Sequence, residues 1–356
     1  MTSIWLMQRM DDHRGERMAG GDQDDFEARI RRSLDAYHEA AMVFTAVTSR
    51  IPDLLNLGGR TPEILATELE LRPMPLRRFL RGLVTMQLCE ELEDGRFVLT
   101  PAGKLLAIGN ASSLRQKAQV VVGQYWLPWL SLMHCLETGE PSFPFVFGST
   151  VSDWRAADKK EGDSFYRYLA KEEMVNADDL MQSFYEFEAD TIASIGSGYG
   201  GFLVPFLHAF PELKAIVFDS GPTVESAEPM FQALGLQHQV TFVAGDILKE
   251  IAIEADIYFL KGVLQRYGDT EAHTILENCR KAMKPNAKLI VYERLMPENA
   301  LDDPAAILLD LHMMVVTGGR ARTKAEMEAL LAAAGLSARN ISRTYDGLAF
   351  IEAVPH

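Results

Sequence analysis

Apolar residues recur at helical spacing from Phe26 to about Leu57, through Ile30, Leu34, Tyr37, Ala41, Phe44, Val47, Ile51, Leu54 and Leu55. Such a stripe predicts a long amphipathic helix, and Gly58-Gly59 ends it. Thr61-Pro62 opens the next, with Thr61 as N-cap and Pro62 at the first helical position. A further helix is predicted over roughly 75–86, with Leu76, Phe79, Leu80, Leu83 and Val84 on one face. Leu88–Glu93 and Arg96–Leu99 flank Asp94-Gly95, a turn pair expected to close a hairpin. Helix, helix, hairpin is the winged-helix arrangement, placed at residues 26–113. Residues 1–25 mix both charges without an apolar period and are expected to be a disordered N-terminus. Residues 114–188 read as mostly helical and rich in aromatics, Tyr125, Trp129, Trp154 and Phe165 among them; either an apolar pocket or a dimer or domain core would use them.

From residue 189 to 356 the period changes. Short apolar segments at Thr191–Ile195, Ala215–Phe218, Val240–Val243, Asp256–Leu260 and Lys288–Tyr292 alternate with amphipathic stretches. That alternation predicts an α/β fold with a parallel sheet and helices on both faces. Ala338–Arg343 and Leu348–Glu352, split by Tyr345-Asp346-Gly347, suggest a closing antiparallel hairpin, which brings the sheet to seven strands.

Composition narrows the function. A net charge of −15 argues against nucleic acid and against anionic membrane, since phosphate neutralisation needs clustered Lys and Arg. Cys89, Cys135 and Cys279 lie far apart, with neither disulfide nor zinc spacing, so no metal is expected. No apolar run reaches membrane-spanning length and no signal peptide is evident, so a cytoplasmic location is expected.

The candidate chemistry sits at the carboxyl ends of the first strands of the α/β part. Thr191–Ile195 runs into Gly196-Ser197-Gly198-Tyr199-Gly200-Gly201 and then a helix. Glycines are needed where the turn is tight and the backbone must approach a ligand closely. Asp219, about 20 residues on and at the end of the second strand, is placed to accept ribose hydroxyls; as a plain structural residue it would cap the next helix. Gly245-Asp246 follows the third strand, where an adenine ring would lie. NAD and S-adenosylmethionine (SAM) both satisfy this set. The closing hairpin favours SAM, and the glycine turn is not followed by the basic helix start from which a pyrophosphate would gain.

At these residues the chain resembles the plant-type small-molecule O-methyltransferases. The motifs are Leu76-Arg77-Arg78-Phe79-Leu80, the run Asp94 to Gly103, the glycine loop, Phe218-Asp219, Gly245-Asp246-Ile247, the run Asp256 to Leu264, and Gly318-Gly319-Arg320-Ala321-Arg322-Thr323. The resemblance implies a Rossmann-like class I SAM-dependent methyltransferase domain with a mostly parallel sheet, preceded by a winged-helix dimerisation domain that builds a homodimer. It carries SAM over onto Gly196, Gly198, Asp219, Asp246, Ile247 and Lys261, with S-adenosyl-L-homocysteine as product. It puts the acceptor pocket near Phe165, Leu169, His312 and Met313.

The chain departs from the pattern at the catalytic centre. The family's histidine base falls on Gln265, which has no titrating group near neutral pH. Of the two carboxylates that flank that histidine, Glu293 is retained and the other is Ala321. Three readings stay open. The acceptor arrives as an anion; or another residue is the base, with His312 ahead of Tyr267 and His134; or the protein keeps SAM for a non-methylating hydroxylation, decarboxylation or cyclisation. A hydrogen-bonded core role is the plainer alternative for His312. The expectation is a methyltransferase acting on oxygen or carbon of a small aromatic or polyketide-like acceptor in specialised metabolism.

Overall fold

The computed structural model describes residues 4–110, 113–175, 177–184, 187–344 and 347–356. They fall into two compact units, Met1–Val122 and Gly123–His356. Of the aromatic helical stretch expected over 114–188, the part from Gly123 on falls in the same unit as the sheet.

The first unit holds helices α1 (Ile4–Thr48), α2 (Ile51–Asn56), α3 (Pro62–Glu68), α4 (Pro73–Thr85), α5 (Pro101–Lys104) and α6 (Arg115–Val120), and the hairpin β1 (Cys89–Glu91) and β2 (Phe97–Leu99). Two features depart from the pattern read above. The backbone is helical from Ile4, although residues up to 25 were expected to be disordered; their Arg, Gln, Glu, Met and Ala are good helix formers even without an apolar stripe. The single helix expected to Leu57 breaks at Arg50, which takes a left-handed φ of 64° before Ile51-Pro52. Pro52 has no N–H to give to the Thr48 carbonyl and its ring would clash with it, so α1 cannot run on through it. Thr61 caps α3, accepting from the Ile64 N–H at 3.4 Å. Cys89 pairs with Leu99 and Glu91 with Phe97 across a turn in which Gly95 supplies a φ of 81°. Leu65, Leu76, Leu80, Leu83 and Phe97 form the core of this unit.

The second unit opens with short helices α7 (Trp126–Leu130), α8 (Leu132–Thr138), α9 (Ser142–Phe147) and α10 (Val151–Ala157), then α11 (Lys159–Val175) and α12 (Ala177–Gln182). Strands β3 (Thr191–Ile195), β4 (Lys214–Asp219), β5 (Val240–Ala244), β6 (Ile257–Lys261) and β7 (Lys288–Glu293) run parallel. β8 (Leu336–Arg343) and β9 (Ala349–Pro355) complete a seven-stranded sheet of order β5-β4-β3-β6-β7-β9-β8, with β9 antiparallel to both neighbours. Of the expected turn at 345–347, Tyr345 and Asp346 lie outside the described residues; Gly347 has a φ of 82°. Helices α13 (Leu203–Ala209), α14 (Gly221–Ala233), α15 (Asp269–Ala282), α16 (Pro304–Val316) and α17 (Lys324–Ala333) complete the unit. Two apolar clusters fill it, one around Ile195, Leu260, Ile275 and Val291 and the other around Phe202, Phe206, Val217 and Phe259. Strand order reverses at β3, between β4 and β6, so a ligand crevice is expected at the carboxyl end of β3. Among the described residues no helix is long and apolar enough to cross a membrane.

Candidate active site

A cleft of about 410 Å³ opens at that switch point. Gly196, Asp219–Ser220, Gly245–Ile247 and Arg266–Tyr267 line it from the sheet side, and Arg155, Asp163 and Tyr166 line it from α10 and α11.

The glycine loop has the backbone the sequence predicts. Gly196, Gly198 and Gly200 take φ values of 64°, 75° and 69°, which residues with a Cβ rarely adopt. Space is short as well: a Cβ on Gly201 would lie 2.3 Å from the Ala170 carbonyl oxygen of α11. Asp219 ties the loop to the next strand. Its Oδ2 accepts from the Gly198 N–H at 2.9 Å and its Oδ1 from the Ser220 N–H at 2.7 Å. Burial raises its pKa, against the pull of those N–H groups and of Arg266. Asp246 accepts from the Leu248 N–H at 3.0 Å, and the Ile247 carbonyl is held by Asn278 at 3.0 Å.

Lys261, at the end of β6, is only slightly exposed and pairs at 3.3 Å with Glu173 of α11. The second oxygen of Glu173 is buried with no partner among the described residues, and burial raises the pKa of this carboxyl. Sequence reasoning missed Glu173, because nothing in the helical pattern of α11 marks it as the partner of a strand-end lysine.

Gln265 and Glu293 lie side by side. The Gln265 N–H donates to Glu293 Oε2 at 3.3 Å, while the amide oxygen Gln265 Oε1 is buried without a partner among the described residues. Glu293 is buried, and desolvation pushes its pKa up to about 7 although Arg322, Arg266 and backbone N–H groups favour the charged form. Arg322, 1% exposed, holds the turn that carries Gln265 by donating to the carbonyls of Leu264 at 2.9 Å and Tyr267 at 3.1 Å. Arg266 is half-buried on the cleft wall; its guanidinium donates to the Gly196 carbonyl, and its Nε is buried without a partner among the described residues. In the sequence, adjacency to Gln265 is the only signal that marks Arg266.

His312, on α16, stands apart from this pair. Its Nδ1 accepts from Trp129 Nε1–H at 3.1 Å, and the Tyr125 ring meets it edge-on at 4.5 Å. An indole nitrogen only donates, so the neutral imidazole carries its proton on Nε2 and presents a donor there. Burial, then the nearby Arg155 charge, push its pKa down to about 4. This geometry counts against His312 as the base, because its one lone pair is already engaged. His134, the weaker candidate, stacks on Phe145 at 4.3 Å, and Tyr267 lines the cleft with its pKa raised by burial. Met313 is buried beside His312. Phe165 faces Arg155, and Leu169 comes to 3.5 Å of where a Cβ on Gly198 would lie. The second expected carboxylate position, Ala321, is buried, and its N–H donates to Asp310 at 2.7 Å.

Comparison with known proteins agrees with this architecture. Residues 129–337 match the O-methyltransferase domain model and residues 32–109 the O-methyltransferase dimerisation domain model. The chain is 30% identical to phenazine O-methyltransferase PhzM of Lysobacter antibioticus, over 92% of this chain and 95% of the relative. It is also 30% identical to aclacinomycin 10-hydroxylase RdmB of Streptomyces purpurascens, over 82% and 79%. The solved structure of LaPhzM superposes with a TM-score of 0.87 at 28% identity, covering 93% of this chain and 99% of that one. The O-methyltransferase NcsB1 from neocarzinostatin biosynthesis, solved with S-adenosylmethionine and 2-hydroxy-5-methyl naphthoic acid, gives 0.76 at 25% identity, covering 89% and 96%. The matched domain spans more than half the chain, and the chain belongs to the O-methyltransferase family of S-adenosylmethionine-dependent enzymes.

Proposed function

We propose that the chain transfers the SAM methyl group to a small aromatic or polyketide-like acceptor of specialised metabolism, in the cleft at the carboxyl end of β3, with no histidine base. The observation that carries the reading is the Asp219 carboxylate fixed at the cleft rim on the Gly198 and Ser220 N–H groups, beside a loop whose glycines take positive φ at three positions and leave no room for a Cβ at Gly201. A carboxylate so placed suits a ribose diol, and a loop so bare lets backbone N–H groups approach an amino-acid tail. Asp246 and Ile247 fit the adenine edge, Gly196 and Gly198 the turn beneath, and Lys261, steadied by Glu173, stands at the end of the adjoining strand β6. Phe165, Leu169 and Met313 fit an apolar acceptor pocket. The sulfonium supplies an electrophilic methyl group for in-line displacement.

What the chain lacks decides the acceptor. A positioned base contributes about 10²–10⁴-fold in rate. Gln265 cannot serve, His312 has its lone pair occupied, and Glu293 lies buried on backbone N–H groups. The acceptor therefore reaches the cleft already ionised, as an acidic phenol or enol, or reacts through ring carbon; alignment then supplies most of the rate. Mass spectrometry of aromatic acceptors with methyl-labelled SAM tests this: label on the acceptor supports it, and cofactor binding without label transfer to any of them refutes it. One observation favours a second reading, a non-methylating SAM-dependent reaction: a relative as similar as 30% carries the name of a hydroxylase.

We also propose a cytoplasmic homodimer that binds neither nucleic acid nor membrane. The dimerisation-domain match supports the dimer, and so do Phe26, Ile30, Leu34 and Tyr37, an apolar stripe on α1 exposed in the single chain.

A further inference from the structure

Arg155 is the least expected side chain in the cleft wall. It lies on α10, is 8% exposed, and lines the cleft. A buried guanidinium is ordinarily paired with a carboxylate, because desolvating the charge is costly. Here its Nε donates to Gln124 Oε1 at 3.0 Å, its Nη2 donates to the Tyr125 hydroxyl at 2.9 Å, and its Cζ sits 3.3 Å from the centre of the Phe165 ring. Among the described residues the guanidinium meets an amide, a phenol and a ring face, and no carboxylate. Its Nη1 has no protein partner among the described residues, on a side chain that lines the cleft.

The groups around it share one polarity. Tyr125 accepts from Arg155, so its own O–H remains to be given. His312, whose Nδ1 is taken by Trp129, offers Nε2–H. Three donors and no anion is the complement of an acceptor-only, negatively charged group. Phe165, against the guanidinium, supplies an aromatic face for a flat ring beside it.

We infer that Arg155, with Tyr125 and His312 around it, binds a carboxylate carried by the methyl acceptor, so that the substrates of this enzyme are aromatic acids. The inference rests on the methyltransferase reading and extends it to substrate class. The same anchor compensates for the missing base by fixing the acceptor's orientation towards the methyl group.

The amino-acid carboxylate of the cofactor has the same chemistry, and the test separates the two sources. Protein saturated with S-adenosylhomocysteine is titrated calorimetrically with salicylate, 3-hydroxy-2-naphthoate and phenazine-1-carboxylate, and with the neutral carboxamide of each. At least one acid should bind tenfold or more tightly than its amide to the wild type. Arg155→Met should level that preference and Arg155→Lys should keep part of it, with S-adenosylhomocysteine affinity unchanged in both. The inference is overturned if no acid outbinds its amide, if Arg155→Lys and Arg155→Met both keep the full preference, or if S-adenosylhomocysteine affinity falls tenfold with Arg155→Met, which would assign the guanidinium to the cofactor. Wild-type protein that failed to bind S-adenosylhomocysteine at all would instead overturn the methyltransferase reading.

Discussion

Glu293 offers the sharpest test of the electrostatics at the catalytic centre. Its carboxyl is buried, held by the Gln265 N–H at 3.3 Å, and its pKa stands near 7 against an ordinary 4.5. The folded protein thus holds this proton more tightly than the unfolded chain does. The stability it contributes is complete below pH 4.5 and is lost as pH rises through about 7. At 1.36 kcal/mol per pKa unit, the loss amounts to roughly 3 kcal/mol at most. Glu293→Gln keeps the shape and removes the titration, so below pH 5 wild type and variant should be close in stability. By pH 8 the wild type should have fallen relative to the variant by roughly 3 kcal/mol or less. Urea denaturation of both proteins at pH 5, 6.5 and 8 reads the difference, since every other titrating group cancels between them. Parallel stability profiles would show that Glu293 ionises at its ordinary value and that the site around Gln265 is well solvated.

Gln265→His should leave turnover unimproved or lower, because the neighbouring carboxylate is engaged by backbone and Ala321 replaces the second one; a tenfold gain in kcat would mark the protein as a merely degraded O-methyltransferase. Arg322→Met should leave the Tyr267 carbonyl unpaired, at about 1–3 kcal/mol, and take from the Leu264 carbonyl one of its two donors; a thermal melt within a degree of wild type would contradict this role. Gly201→Ala forces a Cβ against the Ala170 carbonyl and should cost about 1–3 kcal/mol while weakening S-adenosylhomocysteine binding; unchanged affinity would show that the loop yields freely.

The periodicities carried most of the architecture. Seven strands were readable because buried parallel strands are continuous apolar runs and the closing pair has a turn between its halves; β3 and its glycine loop lie where the sequence put them. The break at Arg50 was hidden, since an apolar stripe continues through it and only Pro52 speaks against one helix. The helix before residue 25 was hidden for the opposite reason: good helix formers without a stripe look like a solvated tail. At the site, Asp219 and Asp246 stood out by their positions at strand ends, and Lys261 and Glu293 only through the family resemblance. Arg155, Glu173 and the Trp129–His312 hydrogen bond were not, because each joins residues distant along the chain: Lys261 bonds 88 positions back and Trp129 reaches 183 positions forward. His312 in particular changes from candidate base to donor once its partner is known.

The central claim is that Asp219 and the glycine loop hold the adenosyl cofactor, and calorimetric titration of SAM into wild type and Asp219→Ala tests it most directly. Saturable binding by the wild type with an affinity at least tenfold weaker in the variant is the predicted result. Equal affinity in the two proteins, both still folded, would place the cofactor elsewhere and contradict the account.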